Sequence, residues 1–364
     1  MKKRHSIIVN LPQKNYPIYI ERGLIQSIGS EIKKIYGNNK IVIITDSNVE
    51  FLYGTIIEIS LKKEGFIVRK VIIEPGEKSK SFETLQRVCE EILEFGLARG
   101  DLIIAFGGGV VGDLGGFAAS ILLRGIAFIQ VPTTLLAQID SSVGGKVAIN
   151  SISGKNLIGS FYQPEAVFID PNLLNTLSER VFNDGMAEVI KCAAIKDGGL
   201  FYKLLEYDTK EILMNNIEEL IFTCCNIKKN VVELDEKDLG ERMLLNFGHT
   251  IGHAIEKIFS YETFTHGEAV AMGMVAITRN SERLGITESD TLELLIKLVT
   301  KYNLPSELPV MNKNEFLKAL LLDKKNMNEN INLILLKKIG CSYIKKINCK
   351  AIDSYVGEKS EERN

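Results

Sequence analysis

Two periodicities divide this chain. Up to about Ser178, short apolar runs alternate with amphipathic stretches; beyond it, apolar residues recur at helical spacing with little interruption. Residues 6–10 and 17–20 read as short strands. Lys40-Ile41-Val42-Ile43-Ile44-Thr45 is a continuous apolar run closed by Asp46-Ser47-Asn48, the pattern of a parallel strand covered on both faces. Residues 66–73 form a further strand, followed by a turn over 74–80 and an amphipathic helix over 82–95. Residues 101–106, 127–131 and 166–169 complete the strands. Their alternation with helical patterns predicts βαβ units and a mainly parallel sheet. Later stretches, 180–195, 200–214, 217–233, 244–259, 267–284 and 290–302, predict helices, and only 332–336 reads as a strand. The expected architecture is an α/β nucleotide-binding domain over 1–177 and a helical domain over 178–364, with the active site in the cleft between them. The charged end, 358–364, is expected to fray.

Composition narrows the function classes. The chain has 364 residues, 45% hydrophobic and 25% charged, with a net charge of −2. That charge provides no basic field for nucleic acid, and no apolar run approaches a membrane span. Lys2-Lys3-Arg4 is a basic start, but the residues after it alternate like a strand and lack an apolar signal core. The six cysteines show no CxxC and no framework spacing, so they are expected to be reduced thiols in a cytoplasmic protein.

Three of the four histidines fall within eighteen residues, in Asn246-Phe247-Gly248-His249-Thr250-Ile251-Gly252-His253 and His266-Gly267-Glu268. His249 and His253 are four apart and share a helical face, and His266 can complete a chelating corner for a zinc-like cation. The competing interpretation is a helix-capping histidine with two solvated ones. Glu188 and Lys191, three apart in Asp184-Gly185-Met186-Ala187-Glu188-Val189-Ile190-Lys191, point either to a metal partner for a buried carboxylate or to an ordinary intrahelical ion pair.

Gly107-Gly108-Gly109-Val110-Val111-Gly112-Asp113-Leu114-Gly115-Gly116 contains GxGxxG between a strand and a helix, as a pyrophosphate cradle should. The usual acid about 20 residues later is missing; the next strand runs into Pro132-Thr133-Thr134, and the candidate ribose partner is Asp46, upstream. A tight turn packing helix on sheet is the alternative. Lys146 in Gly144-Gly145-Lys146 and Lys155 in Gly154-Lys155-Asn156 suit anion binding beside bare backbone amides. Taken singly, these lysines, like Lys228-Lys229, Arg242 and Lys324-Lys325, read as solvated surface charge.

In their order and spacing these segments resemble the 3-dehydroquinate synthase family of sugar phosphate cyclases. The resemblance runs over nearly the whole chain. It rests on Pro75-Gly76-Glu77 with Lys80, the glycine-rich turn, Arg124-Gly125, the run from Val131 to Lys146, Gly154-Lys155-Asn156, Phe161-Tyr162-Gln163-Pro164, the Glu188 segment, the histidine cluster and Asp323-Lys324-Lys325. It implies a Rossmann-like α/β N-terminal domain and an all-α C-terminal domain, in a carbon–oxygen lyase of the shikimate pathway that holds NAD and one divalent cation, zinc or cobalt, usually as a homodimer. Carried over, the metal ligands are Glu188, His249 and His266, and His253 becomes a proton-transfer or phosphate-contacting residue. Asp46, Asn48, Glu77, Lys80, Gly108, Gly109, Val110, Asp113, Thr133, Thr134 and Thr176 fall where the family binds NAD, with Lys146 and Lys155 beside them. Asp140, Lys146, Lys155, Asn156, Lys191, Lys228, Arg242 and Asn246 fall around the substrate, with a lysine from Lys324-Lys325. Arg124 matches an arginine that reaches the neighbouring subunit's phosphate site.

The implied substrate, 3-deoxy-D-arabino-heptulosonate 7-phosphate, has no ketone placed to acidify the proton lost on phosphate elimination. The implied reaction therefore oxidises C5 transiently, eliminates phosphate, returns the hydride, opens the ring and closes a carbocycle by an aldol step. Rival classes are another sugar phosphate cyclase acting on a substrate without a carboxylate, a metal-dependent polyol dehydrogenase, and a catalytically dead metal-binding protein. Having both Lys228 and Arg242 favours the carboxylate-bearing substrate.

Overall fold

The computed structural model describes residues 4–37, 40–322 and 330–356. The chain forms two compact units, Met1–Ser178 with Ile217–Lys237, and Glu179–Asn216 with Asp238–Asn364. The first contains strands β1 (His5–Asn10), β2 (Asn15–Ile20), β3 (Lys40–Asp46), β4 (Ile67–Ile73), β5 (Leu102–Gly107), β6 (Ala127–Pro132), β7 (Lys146–Ser151), β8 (Gly154–Phe161) and β9 (Ala166–Ile169). Seven of them form one sheet in the order β1-β2-β9-β6-β5-β3-β4, parallel except for the β1–β2 pair.

The uninterrupted apolar runs of β3 and β5 follow from burial on both faces. Val42, Ile44, Ile103 and Ala105 meet Leu85, Val88 and Ile92 of the helix Phe82–Glu94 and Val111, Leu114 and Ala118 of the helix Gly109–Ile121. The intervening Ile41, Ile43, Leu102, Ile104 and Phe106 face Ile28 and Ile32 of Ile28–Ile35, and Ile57 and Leu61 of Thr55–Lys63. Successive side chains thus fill opposite cores. Each such burial contributes about 1.5–3 kcal/mol, so a charge anywhere in these runs would break the layer.

Two features of this unit escape the sequence pattern. The glycine–lysine segments around Lys146 and Lys155, which show no strand period in the sequence, are the two strands of an antiparallel β7–β8 hairpin. Glycines interrupt its alternation, and β8 is largely half-exposed, so no apolar period marks it. The helix Ile217–Leu234 lies within the range read as the second domain, yet packs with the first unit. Arg22 pairs with its Glu218 at 2.8 Å, and Asn10 donates its backbone N–H to Glu233 at 2.6 Å. Periodicity predicts a helix but not which core it covers.

The second unit is helical, as expected, with one addition. Its helices include Glu179–Lys196, Gly198–Glu206, Lys210–Asn215, His249–Ile258, His266–Arg283 and Thr291–Lys301. The single helix expected over 200–214 is two, because Thr209 caps a new start by accepting from Ile212 N. The helix expected over 244–259 begins at His249, after the left-handed Gly248 (φ 79°) ends a 3₁₀ turn at Glu241–Asn246. The strand expected over 332–336 is β10 (Asn330–Lys338), and the addition is β11 (Cys341–Asn348), which pairs with it antiparallel. Strand β11 is mostly half-buried and gives no apolar run. His266–Arg283 is the axis of this unit, nearly all of it buried from Gly267 to Ser281. Among the described residues, no helix is long and apolar enough to cross a membrane.

Candidate active site

In the first unit the candidate nucleotide site sits at the carboxyl ends of β3, β5 and β6. Asp46 closes β3 and accepts from Asn48 N at 2.9 Å and Val49 N at 3.0 Å. Beside it, β5 ends at Gly107 and turns through Gly108 into the helix Gly109–Ile121, whose first turn holds Val110. The chain leaves β3 outward to β4 and returns to β5 on β3's other side, which makes this edge a topological switch point. That order explains the upstream acid: the strand carrying Asp46 precedes the glycine turn in sequence and adjoins it in space. A Cβ on Gly108 would stand 3.1 Å from Thr134 Cγ2, and Thr133 N donates to Gly107 O at 3.0 Å. Bare backbone at a helix N-terminus fits a pyrophosphate, so this turn accommodates a dinucleotide.

Glu77, Lys80, Asp113 and Asn156 form one network. Lys80, 4% exposed, donates to Asp113 Oδ2 at 2.7 Å, touches Asn156 Oδ1, and lies 3.7 Å from Glu77. Burial works against the charge on Lys80, but Asp113 and Glu77 overcome it and raise its pKa. Burial raises Asp113 despite Lys80. Asn150, which sequence reasoning passed over, ties the group together: its Nδ2 donates to Glu77 at 2.8 Å and its Oδ1 accepts from Asn156 N at 2.9 Å.

Around these, Lys228 donates to both Asp140 O and Asp140 Oδ1 at 2.5 Å. Lys146 is exposed at the head of β7, and Lys155 is half-buried in β8. Thr176 is exposed and shares a 2.8 Å hydrogen bond with Tyr53. Arg124 is exposed in a left-handed turn (Leu123 φ 49°, Arg124 φ 70°), with no hydrogen bond or ion pair among the described residues.

In the second unit, Glu188, His249 and His266 each offer a ligand atom within 4.8 Å of the other two. Both imidazole Nε2 atoms lie 3.6 Å from Glu188 Oε1. Two glycine-dependent contacts draw the ligand-bearing helices together. A Cβ on Gly267 would stand 2.2 Å from Asp184 O, and one on Gly273 would stand 2.1 Å from Gly248 O. Asp184 also accepts from Gly267 N at 2.5 Å, fastening the start of His266's helix to the helix of Glu188.

Glu188 is fully buried, ion-paired to Lys191, and neither of its oxygens accepts a well-formed hydrogen bond. Burial opposes its charge, but Lys191 and the two imidazoles hold its pKa well below the carboxylate range. This is no surface ion pair, since Lys191 is buried too. Burial, with Lys191 nearby, keeps His249 neutral far below the usual imidazole pKa. Burial would do the same to His266, but Glu188 and Glu256 outweigh it and raise that ring to about 10. A neutral imidazole, an anionic carboxylate and a proton-holding imidazole fit a dication that displaces the proton.

His253 is exposed, and the three imidazoles by themselves form no ligand set among the described residues. Arg242 is buried and Lys228 nearly so, contrary to their reading as solvated charge. Asn246 is exposed beside Gly248, and Lys324 and Lys325 lie outside the described residues. Sequence reasoning also missed Glu256, although it falls seven residues after His249, on the same helical face.

Two family models match adjoining stretches of the chain: 3-dehydroquinate synthase N-terminal over residues 70–184 and 3-dehydroquinate synthase C-terminal over 185–326. A 3-dehydroquinate synthase of Clostridium botulinum is 53% identical over 343 residues, covering 94% of this chain and 98% of the relative. Among solved structures, a 2-deoxy-scyllo-inosose synthase complexed with carbaglucose-6-phosphate, NAD+ and Co2+ is similar (TM-score 0.86, 26% identity, 97% of this chain and 99% of that one). The fold is also that of a 2-epi-5-epi-valiolone synthase from Streptomyces hygroscopicus with NAD+ and Zn2+ bound (TM-score 0.87, 24% identity, 95% and 97%).

Proposed function

The chain belongs to the 3-dehydroquinate synthase family, and from that premise we propose how its own residues carry the reaction. The activity is conversion of 3-deoxy-D-arabino-heptulosonate 7-phosphate to 3-dehydroquinate and phosphate, a lyase step of aromatic amino acid biosynthesis. The near-full-length identity to the clostridial enzyme carries this reading. When bound, NAD supplies a reversible hydride acceptor and the zinc or cobalt ion a Lewis acid.

Glu188, His249 and His266 hold the cation. Asp46, Asn48, Gly108, Gly109, Val110, Thr133, Thr134 and Thr176 hold NAD, with Glu77, Lys80 and Asp113 fixing the same end of the sheet. Lys228 and Arg242 bind the substrate carboxylate; Asp140 keeps the Lys228 ammonium in place until it arrives. In this reading the substrate's own phosphate takes the C6 proton. Lys146, Lys155, Asn156, Lys191, Asn246, His253 and one of Lys324 and Lys325 complete the substrate's surroundings, with His253 moving a proton or contacting phosphate.

The protein acts as a homodimer in which Arg124 completes the partner's phosphate site; its exposed, unengaged guanidinium supports this. Mixing inactive Arg124→Ala and Lys155→Ala variants should then restore activity through hybrid dimers, and an absence of rescue argues against a shared site. Six free cysteines support a cytoplasmic setting. The direct test is phosphate release from the heptulosonate phosphate with NAD+ and zinc, before and after chelation. Release with dehydroquinate formation, no net NADH and loss on chelation is expected. Steady NADH accumulation would instead favour a polyol dehydrogenase.

A further inference from the structure

Glu256 has no role in the assignments above. It sits on the helix His249–Ile258, 2% exposed, with Oε2 3.5 Å from His266 Nδ1. His266 therefore lies between two carboxylates: Glu188 faces its Nε2 and Glu256 its Nδ1. A neutral imidazole carries one N–H and one lone pair, and the partner of the N–H decides which nitrogen is free to ligate.

We propose that Glu256 is a positioning residue that holds the Nδ1–H of His266, turning Nε2 toward Glu188 as the metal donor. The proposal rests on the ligand assignment of Glu188, His249 and His266. The 3.5 Å separation of Glu256 Oε2 and His266 Nδ1 is an ion-pair contact longer than an ordinary hydrogen bond. Two structural facts favour positioning over a merely structural carboxylate. The helix that supplies His249 also supplies Glu256, so the orienting group and a ligand move together. Asp184 fixes the backbone next to His266 through Gly267 N but leaves the ring's rotation to be set by another group.

Glu256 also belongs to a second possible ligand set with His253 and His266, whose ligand atoms lie within 4.8 Å of one another. Both sets draw on His266. A neutral ring cannot donate lone pairs from both nitrogens, so a cation beside Glu188 requires the Nδ1 side to hold a proton, and Glu256 is the acceptor placed for it.

The test begins with the unsubstituted full chain. A long-range proton–nitrogen NMR correlation on the zinc-loaded, histidine-labelled protein should show His266 protonated at Nδ1. Protonation at Nε2 overturns the proposal without any variant. The metal-free protein is then titrated with zinc or cobalt alone against a chromophoric chelator. Glu256→Gln should bind about 10–100-fold more weakly, at unchanged stoichiometry and with the cobalt absorption pattern retained. His253→Gln should keep its affinity.

Wild-type affinity in Glu256→Gln, or equal losses in both variants with an altered cobalt spectrum, rejects positioning; the second result makes Glu256 a ligand. If Glu256→Gln does not fold by circular dichroism, Glu256→Asp serves instead, and unchanged affinity there also rejects the role. Unchanged metal binding in Glu188→Gln would instead remove the ligand assignment on which this rests.

Discussion

The two candidate ligand sites solve opposite electrostatic problems. Around Lys80 every buried charge is already answered: Asp113 neutralises the ammonium, Glu77 stands nearby, and Asn150 links Glu77 to Asn156. Around Glu188 the carboxylate has one ammonium, two imidazoles at 3.6 Å and no well-formed hydrogen bond. The Lys80 network is closed by its own side chains, which would give a dinucleotide a fixed surface to bind. The Glu188 end is balanced by a proton held on His266, and a cation placed among the same three side chains would take over that proton's charge.

The largest effect expected from that contrast is at Glu188. Glu188→Gln should remove bound metal and, with loss of several kcal/mol of Lewis-acid stabilisation, lower kcat by about 10³ or more. NAD affinity should be unchanged. Full metal content by elemental analysis would break the comparison at its strongest point.

Lys80 provides the converse. Lys80→Met leaves the half-buried Asp113 carboxylate without its cation, which costs about 1–3 kcal/mol of stability. A thermal melt should show this loss with or without zinc, and a zinc-dependent loss would mean the two sites are not separate in kind.

The pH dependence sharpens the contrast further. In the metal-free protein the His266 pKa is raised to about 10, burial being outweighed by Glu188 and Glu256, against about 6.5 in an unfolded chain. Its charge therefore contributes stability that is fully present below about pH 6.5 and is lost as pH rises through about 10. Metal must displace the same proton. Zinc affinity should thus rise about tenfold per pH unit below about 10, with one proton released in titration calorimetry across buffers. His249, held neutral, should release none.

The smallest expected effect is at Asn150. Asn150→Ala removes the hydrogen bonds to Glu77 and Asn156, and at about 1 kcal/mol should weaken NAD binding roughly fivefold. Metal affinity should stay as it was.

Much of this was legible in sequence. Parallel strands were readable because burial on both faces imposes uninterrupted apolar runs, as in β3 and β5. The metal trio was named by resemblance, since His249 and His266 stand out locally while Glu188 lies sixty residues upstream. What was not legible had no local period or no local partner: the β7–β8 hairpin, β11, Asn150 and Glu256. A buried carboxylate such as Glu256 looks in sequence like any helical glutamate.

The sequence by itself determined most of the element types, the chemistry available and the family, because side-chain periodicity and motif spacing are local properties. Tertiary structure alone decided that Ile217–Leu234 covers the first unit's core, and that Asp46 lies beside a glycine turn sixty residues later. It also decided that Gly267 and Gly273 bring the helices of Glu188, His249 and His266 within reach of one cation. Those are long-range facts. They depend on which surfaces exclude water together, and no single segment carries that information.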